Sequence, residues 1–267
     1  DGLHATKRVI VNDGKLTINA TVSQGLNADS IVNINGGTIT VNSSREGIES
    51  YNITVTGGTT ILNATNDAIN ATAGTVSGGT ESNDNSSLNV SGGILIANCS
   101  NGDGIDSNGN VYISGGTTIA NGPQSGVEEG ADVNGSFIMT KGIFISAGSN
   151  SNMTKSMSTS STQPNLYIKS GSVISSSTLL HIEDASGTEI MTYKIKNGGY
   201  YFLFSNEALS KGSSYKIYTG GSYTGGSFIG STSGYGLYTG GTYSTTGATL
   251  KKTATLSTST TVNTITF

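Results

Sequence analysis

The feature that most constrains this chain is a short phrase that returns along its first half. DGLHA, QGLNA, EGIES, DAINA, DGIDS and SGVEE begin at residues 1, 24, 46, 67, 103 and 125. Each is followed by a turn signal, in order Asp13-Gly14, Gly36-Gly37, Gly57-Gly58, Gly92-Gly93, Gly115-Gly116 and Lys141-Gly142. The one long step, from 67 to 103, reads as one period plus an insertion placed near residues 72–87. Around the glycines apolar residues alternate with period two, as in Val32 and Ile34 before one turn and Ile39 and Val41 after it. Strand, turn, strand is therefore the repeating unit. A unit of about 22 residues is too short for a propeller blade and lacks the leucine and asparagine frame of leucine-rich repeats, which leaves one coil of a parallel β-helix.

Composition agrees with a thin, elongated core. Of the 267 residues 34% are hydrophobic and 11% charged, with 39 Gly, 2 Pro and no Trp. Gly, Ser, Thr and Asn weaken helices and suit turns and solvated strand faces, so an all-β class is expected. The single cysteine, Cys99, excludes an internal disulfide framework and is read as a buried spacer. No apolar run approaches the roughly 18 residues of a membrane-spanning helix. The chain opens at Asp1 without Met or signal peptide, which reads as a mature or excised piece.

In such a coil, equivalent side chains stack in columns about 4.8 Å apart. After the glycine turns, Leu16, Ile39, Thr60, Leu95, Thr118 and Phe144 are expected to point inward, with Ile18, Val41, Leu62, Ala97, Ala120 and Ser146 beside them. The position between these columns should face outward, yet it reads Ile61, Ile96, Ile119 and Ile145 in the later coils. An apolar ladder on the outside asks for a cover, either the C-terminal part of the chain or a second subunit.

Two further columns are acidic. The repeat starts give Asp1, Gln24, Glu46, Asp67, Asp103 and Ser125; three residues on stand His4, Asn27, Glu49, Asn70, Asp106 and Glu128. Stacked carboxylates repel one another, and a hard cation with oxygen ligands is the usual remedy. Calcium held by Asp67, Asp103, Asp106, Glu128, Glu46 and Glu49 is the expectation, against the alternative of a solvated acidic turn column without an ion. Residues 1–140 hold 13 acids against Lys7, Arg8, Lys15 and Arg45, a balance that disfavours nucleic acid as a partner.

Beyond the coils, Tyr residues concentrate: nine of the 12 follow residue 190. Tyr218, Tyr223 and Tyr238 are candidates to stack against sugar rings. The final segment, TLSTSTTVNTITF, is expected either to fold back along the helix or to add to a neighbour's sheet. The chain divides into coils over 1–190 and a C-terminal β region over 191–267.

The DGID and EGIE phrases before GGTITV-like strands, followed by MTKSMSTSSTQPNLYI (153–168), IEDASGTEI (182–190), FSNEALSKGSSYKIYTGGSYTGG (204–226) and GLYTGGTYS (236–244), resemble a bacterial cell-envelope family of carbohydrate-binding β-helix proteins. The resemblance implies a polysaccharide lyase-like right-handed parallel β-helix, calcium binding, an extracellular or cell-surface setting, and non-catalytic binding of cellulose or acidic, pectin-like sugars. Two alternatives stand beside it. One is a structural subunit of a surface fibre or adhesin, self-associating through the Ile61, Ile96, Ile119 and Ile145 ladder or the C-terminal strand. The other is a calcium-dependent polysaccharide lyase, for which Arg45 and Lys141 are the candidate bases.

Overall fold

The computed structural model describes residues 1–74, 82–151, 153, 156–230 and 234–267. Among these residues there is no helix. The chain is a parallel β-solenoid of about six turns, with about 23 residues per coil. Residues 75–81, inside the expected insertion, lie outside the described residues.

Each coil has three short strand faces. The first holds the repeat phrase and pairs in register from coil to coil, Leu26 with Ile48, Ile48 with Ile69, Ile69 with Ile105. The second includes Val32, Ile53, Leu88 and Val111, again in parallel register. The third follows the glycine turn and stacks Ile39 on Thr60, Thr60 on Leu95, and Leu95 on Thr118. Inward residues of all three faces form one continuous apolar core that includes Leu26, Val32, Ile39, Val41, Leu62, Leu95 and Phe144. The predicted inward columns after the turns are therefore the observed ones.

The glycine at the second position of each turn has a left-handed backbone, from φ +73° at Gly116 to φ +97° at Gly14. Stacking adds a second constraint. A Cβ placed on Gly116 would lie 2.6 Å from the Gly93 carbonyl oxygen of the coil before it, and one on Gly58 would lie 2.4 Å from that of Gly37. Both backbone sign and close approach select glycine here.

Parallel coil-to-coil pairing ends with Phe137–Gly148. The strand Gly199–Ser205 then runs antiparallel to it and also to Asn165–Ile174, closing the ladder. The final strand, Val262–Thr266, folds back parallel to Asn165–Lys169 of its own chain. A separate six-stranded antiparallel sheet is built from Leu179–Asp184, Glu189–Lys194, Ser214–Thr224, Ser227–Gly230, Gly236–Thr239 and Thr242–Thr255. The division drawn at residue 190 thus does not coincide with the change in pairing: Leu179–Asp184 already belongs to the antiparallel sheet.

That sheet covers the isoleucine ladder. Ile96, Ile119 and Ile145 are buried in a second core with Leu180, Ile182, Tyr193 and Ile217, and half-buried Ile61 packs at its margin. Of the two covers expected, the C-terminal part of the chain and a second subunit, the structure supplies the first, so the ladder is not exposed for self-association. Beside the ladder runs a row of asparagines. The Asn98 Nδ2 donates to the Asn63 Oδ1 at 3.1 Å, and the Asn121 Nδ2 donates to the Asn98 Oδ1 at 2.9 Å. The Tyr193 hydroxyl of the covering sheet donates to the Asn121 Oδ1 and ends the row.

Candidate functional site

The two acidic columns stand three residues apart, the first at the corner before the first face and the second within it, and they meet different fates. In the first column the carboxylates of Glu46, Asp67 and Asp103 each reach forward to the backbone N–H of the equivalent residue one coil on. Asp67 N–H donates to the Glu46 Oε2 at 3.0 Å, Asp103 N–H to the Asp67 Oδ1 at 2.8 Å, and Glu129 N–H to the Asp103 Oδ1. The carbonyls of the same residues accept from the next N–H of the neighbouring coil, as in Gly47 to Asp67 and Gly104 to Glu129. Glu46, Asp67 and Asp103 are all buried. Their carboxylates are thus committed to tying successive coils together.

The last coil corrects the sequence register. Ile105 pairs with Ala131 and Asp106 with Asp132, so the repeat phrase of this coil is EGADV, starting at Glu129, not SGVEE. Space decides which glycine belongs to the column. A Cβ on Gly130 would meet the Ala147 backbone at 2.7 Å, whereas Gly126 has nothing within 4 Å. Ser125 is exposed, and Glu128 lines a separate cleft with Gln124 and Asn197. Glu128 is therefore not a member of either stack.

Burial makes the first column electrostatically costly. Asp67 is pushed up from 3.8 to about 7, first by burial and then by the Glu46 carboxylate. Asp103 is raised well above its ordinary range by burial, with the charges of Asp67, Asp106 and Glu128 adding to it against the Glu129 N–H. Cys99 is buried nearby, its thiol donating to the Gly102 carbonyl at 2.7 Å, and burial raises its pKa too. Among the described residues no three His, Cys, Asp or Glu side chains converge to hold a metal ion. The carboxylates of the buried three, Glu46, Asp67 and Asp103, point at backbone N–H groups.

The second column is half-exposed and richer in amides. The Glu49 carboxylate accepts from the Asn27 Nδ2 at 3.1 Å, the Gln24 Nε2 at 3.3 Å and the Asn70 Nδ2 at 3.5 Å. The Asn70 Oδ1 has no hydrogen-bond partner. Register stacks Glu49 on Asn70, Asn70 on Asp106 and Asp106 on Asp132. Outside Glu49 opens a groove of about 560 Å³, lined by Asp1, Gln24, Asn27, Asp29, Glu49 and Tyr51 among others. Hydrogen-bonding groups and one aromatic ring dominate its wall, the chemistry that fits a hydroxyl-rich ligand.

Neither candidate lyase base is among the residues that line this groove. The exposed Arg45 guanidinium is 3.0 Å from the Glu46 Oε1 and neutralises it. Lys141 is exposed at the glycine-turn edge, paired with Ser114.

The three candidate tyrosines all lie on the six-stranded sheet but in two groups. Tyr223 and Tyr238 stand together, ring centroids 5.0 Å apart, with Phe228 6.0 Å from Tyr238. Tyr218 lies apart from them, its hydroxyl donating to the Glu183 Oε1 at 3.2 Å. Sequence reasoning missed the group next to Tyr218: His181, Glu183, Glu189 and Tyr243. His181 and Glu183 alternate on one strand, and the fold brings Tyr243 over His181, rings 3.6 Å apart and 9° from parallel.

Residues 1–83 match the family model described as carbohydrate-binding domain-containing protein. The amino-terminal coils are similar to a carbohydrate-binding family. The match contains every residue that lines the groove outside Glu49. No curated protein and no solved structure matches the chain.

Proposed function

We propose that the chain is a non-catalytic polysaccharide-binding protein whose binding surface is the groove along the second column, from Asp1 to Gly74. The observation that carries this reading is the coincidence of the polar, aromatic-edged groove with the residues that resemble a carbohydrate-binding family. Amide and carboxylate groups repeated at coil spacing offer a linear polymer equivalent partners at each step.

The groove's charge sorts the glycans. Asp1, Asp29 and Glu49 line it, so a neutral glucan such as cellulose can bind directly, while a uronate polymer meets like charges. Calcium enters the proposal at this point, as a bridging ion between Glu49 and the carboxylates of an acidic, pectin-like sugar. The hydrogen bonds that Glu49 accepts from the Gln24 and Asn70 amides, at 3.3 and 3.5 Å, are long ones that an ion can replace. An extracellular or cell-surface setting belongs to the same proposal, since that is where such polymers are met.

The test is affinity electrophoresis through gels containing polygalacturonate or a soluble glucan, with calcium or with chelator. Retention by polygalacturonate should need calcium and should be lost in E49Q, whereas glucan retention should survive both changes and fall in Y51A. If E49Q and Y51A run like the parent chain in every gel, the groove is not the binding surface.

A further inference from the structure

The outer face of the six-stranded sheet carries a second polar cavity, of about 510 Å³, lined by His181, Glu183, Glu189, Thr242, Tyr243 and Ser244 among others. It is far along the chain from the groove and shares no lining residue with it. His181 is 2% exposed, beneath the Tyr243 ring.

The hydrogen bonds fix which ring nitrogen carries the proton. Thr192 has one hydroxyl proton, and it goes to the Glu189 Oε2 at 2.8 Å, because a carboxylate can only accept. The same hydroxyl oxygen lies 2.7 Å from the His181 Nδ1 and must accept there. Nδ1 therefore bears the hydrogen, and in the neutral ring Nε2 is a bare acceptor. Nε2 faces the Glu183 Oε2 at 3.6 Å, too long for a hydrogen bond. Two acceptors thus confront one another at the cavity wall. Burial favours the neutral ring, lowering His181 to about 4 against the pull of Glu183.

The charge count points to the missing donor. Glu183 is matched by Lys216, whose Nζ donates to its Oε1 at 3.0 Å. Glu189 accepts from two neutral hydroxyls, Thr192 and Tyr223 at 3.3 Å, and the His181 Nδ1 lies 3.8 Å from its Oε2, a contact that carries positive charge only if the ring is protonated. With His181 neutral, the charged groups at the cavity sum to one uncompensated negative charge. Tyr243 adds an aromatic ring to the wall, and Tyr218 and Tyr223 touch the two carboxylates from outside it. An unmatched carboxylate, a bare nitrogen acceptor and an aromatic wall together fit a cation that donates several hydrogen bonds.

We propose that this cavity is a second ligand site, which takes a sugar bearing a free ammonium group, an amino sugar. The ammonium donates to Glu189 and into the gap between the His181 Nε2 and Glu183, and the ring hydroxyls meet Thr242 and Ser244. A neutral sugar leaves the charge unmatched, and an N-acetyl group removes the cation.

Calorimetric titration of the full chain at about pH 6, where an amine is charged and His181 is still neutral, tests the site. The probes are a fully deacetylated glucosamine tetramer, its N-acetylated counterpart and a neutral glucan tetramer. The amino tetramer should bind about tenfold or more tightly than the other two, and E189Q should weaken it about tenfold while E49Q and Y51A leave it unchanged. Equal binding of the acetylated tetramer, no effect of E189Q, or loss of binding in E49Q would overturn the assignment, the last by moving the ammonium to the groove. Nitrogen NMR of His181 gives a readout that does not depend on a variant folding. Nε2 should be unprotonated in the free chain and shift when the amino tetramer is added, and an Nε2 already protonated at this pH would refute the acceptor pair.

Discussion

Asp67 should make the folded chain lose stability as pH rises through the range where most acidic proteins are comfortable. Its carboxyl is raised from 3.8 to about 7, so between those values the folded state holds a proton that the unfolded state has released. Stability then falls with pH, because the folded state binds more protons, and the contribution present at low pH is lost by about pH 7. At 1.36 kcal/mol per pH unit the difference is about 4 kcal/mol. The substitution that isolates it is D67N. An asparagine keeps an acceptor for the Asp103 N–H and offers an amide donor toward Glu46, as the protonated acid does. Urea unfolding in chelator from about pH 4 to about pH 8 should show the parent chain losing on the order of 4 kcal/mol more than D67N across that interval. Asp103 is raised too, so some slope should remain in the variant. Parallel profiles for the two chains would refute the reasoning. So would a calcium-induced rise in the parent's stability at about pH 8 that is absent from D67N, because it would place the ion inside the column.

Other expectations follow from packing. Replacing Ile119 by Ala empties a fully buried position between the solenoid and its cover, and should cost about 2–5 kcal/mol by urea unfolding. Gly116→Ala puts a Cβ 2.6 Å from the Gly93 carbonyl on a left-handed backbone, and should destabilise by more than about 1 kcal/mol, whereas in an ordinary helix or strand interior the same replacement stabilises by about 0.5–1 kcal/mol. Asn98→Ala breaks the asparagine row between Asn63 and Asn121 and leaves buried partners unpaired, for a loss of about 1–3 kcal/mol in the same assay.

The coils were legible because period and alternation are local properties. A glycine pair every coil and apolar residues on every second position specify stacking without reference to anything distant, and Leu16, Ile39, Leu95 and Phe144 stand where that pattern places them. The covered ladder was legible as a question, since outward Ile96, Ile119 and Ile145 demand a partner, and the antiparallel sheet answers it. The last coil was misread because spacing favoured SGVEE, whereas a loop pushes the true start four residues on to Glu129. Loop length is set by what surrounds the coil, here a strand that no longer has a coil following it. The His181 cavity was invisible for a related reason. His181 and Tyr243 are separated by more than sixty residues, and antiparallel pairing of Ser214–Thr224 with both Leu179–Asp184 and Thr242–Thr255 is what stacks them.

The acidic columns show why a stack of carboxylates is an ambiguous sign in a solenoid. Both columns recur once per coil and both invite a cation, yet only their orientation relative to the backbone decides what they do. At the corner, the repeat-start N–H points along the solenoid axis at the carboxylate of the preceding coil, so Glu46, Asp67 and Asp103 each supply an acceptor that the parallel ladder lacks there. An unmade backbone bond in the interior costs about 1–3 kcal/mol, so satisfying that N–H offsets part of the cost of burying the acid. Three residues on, the chain has re-entered the ladder, its N–H groups are paired by neighbouring strands, and Glu49 is left to face amides and solvent. The glycan contact we propose therefore belongs to the column whose backbone is already satisfied, and it is E49Q, not D67N, that should change retention by an acidic glycan.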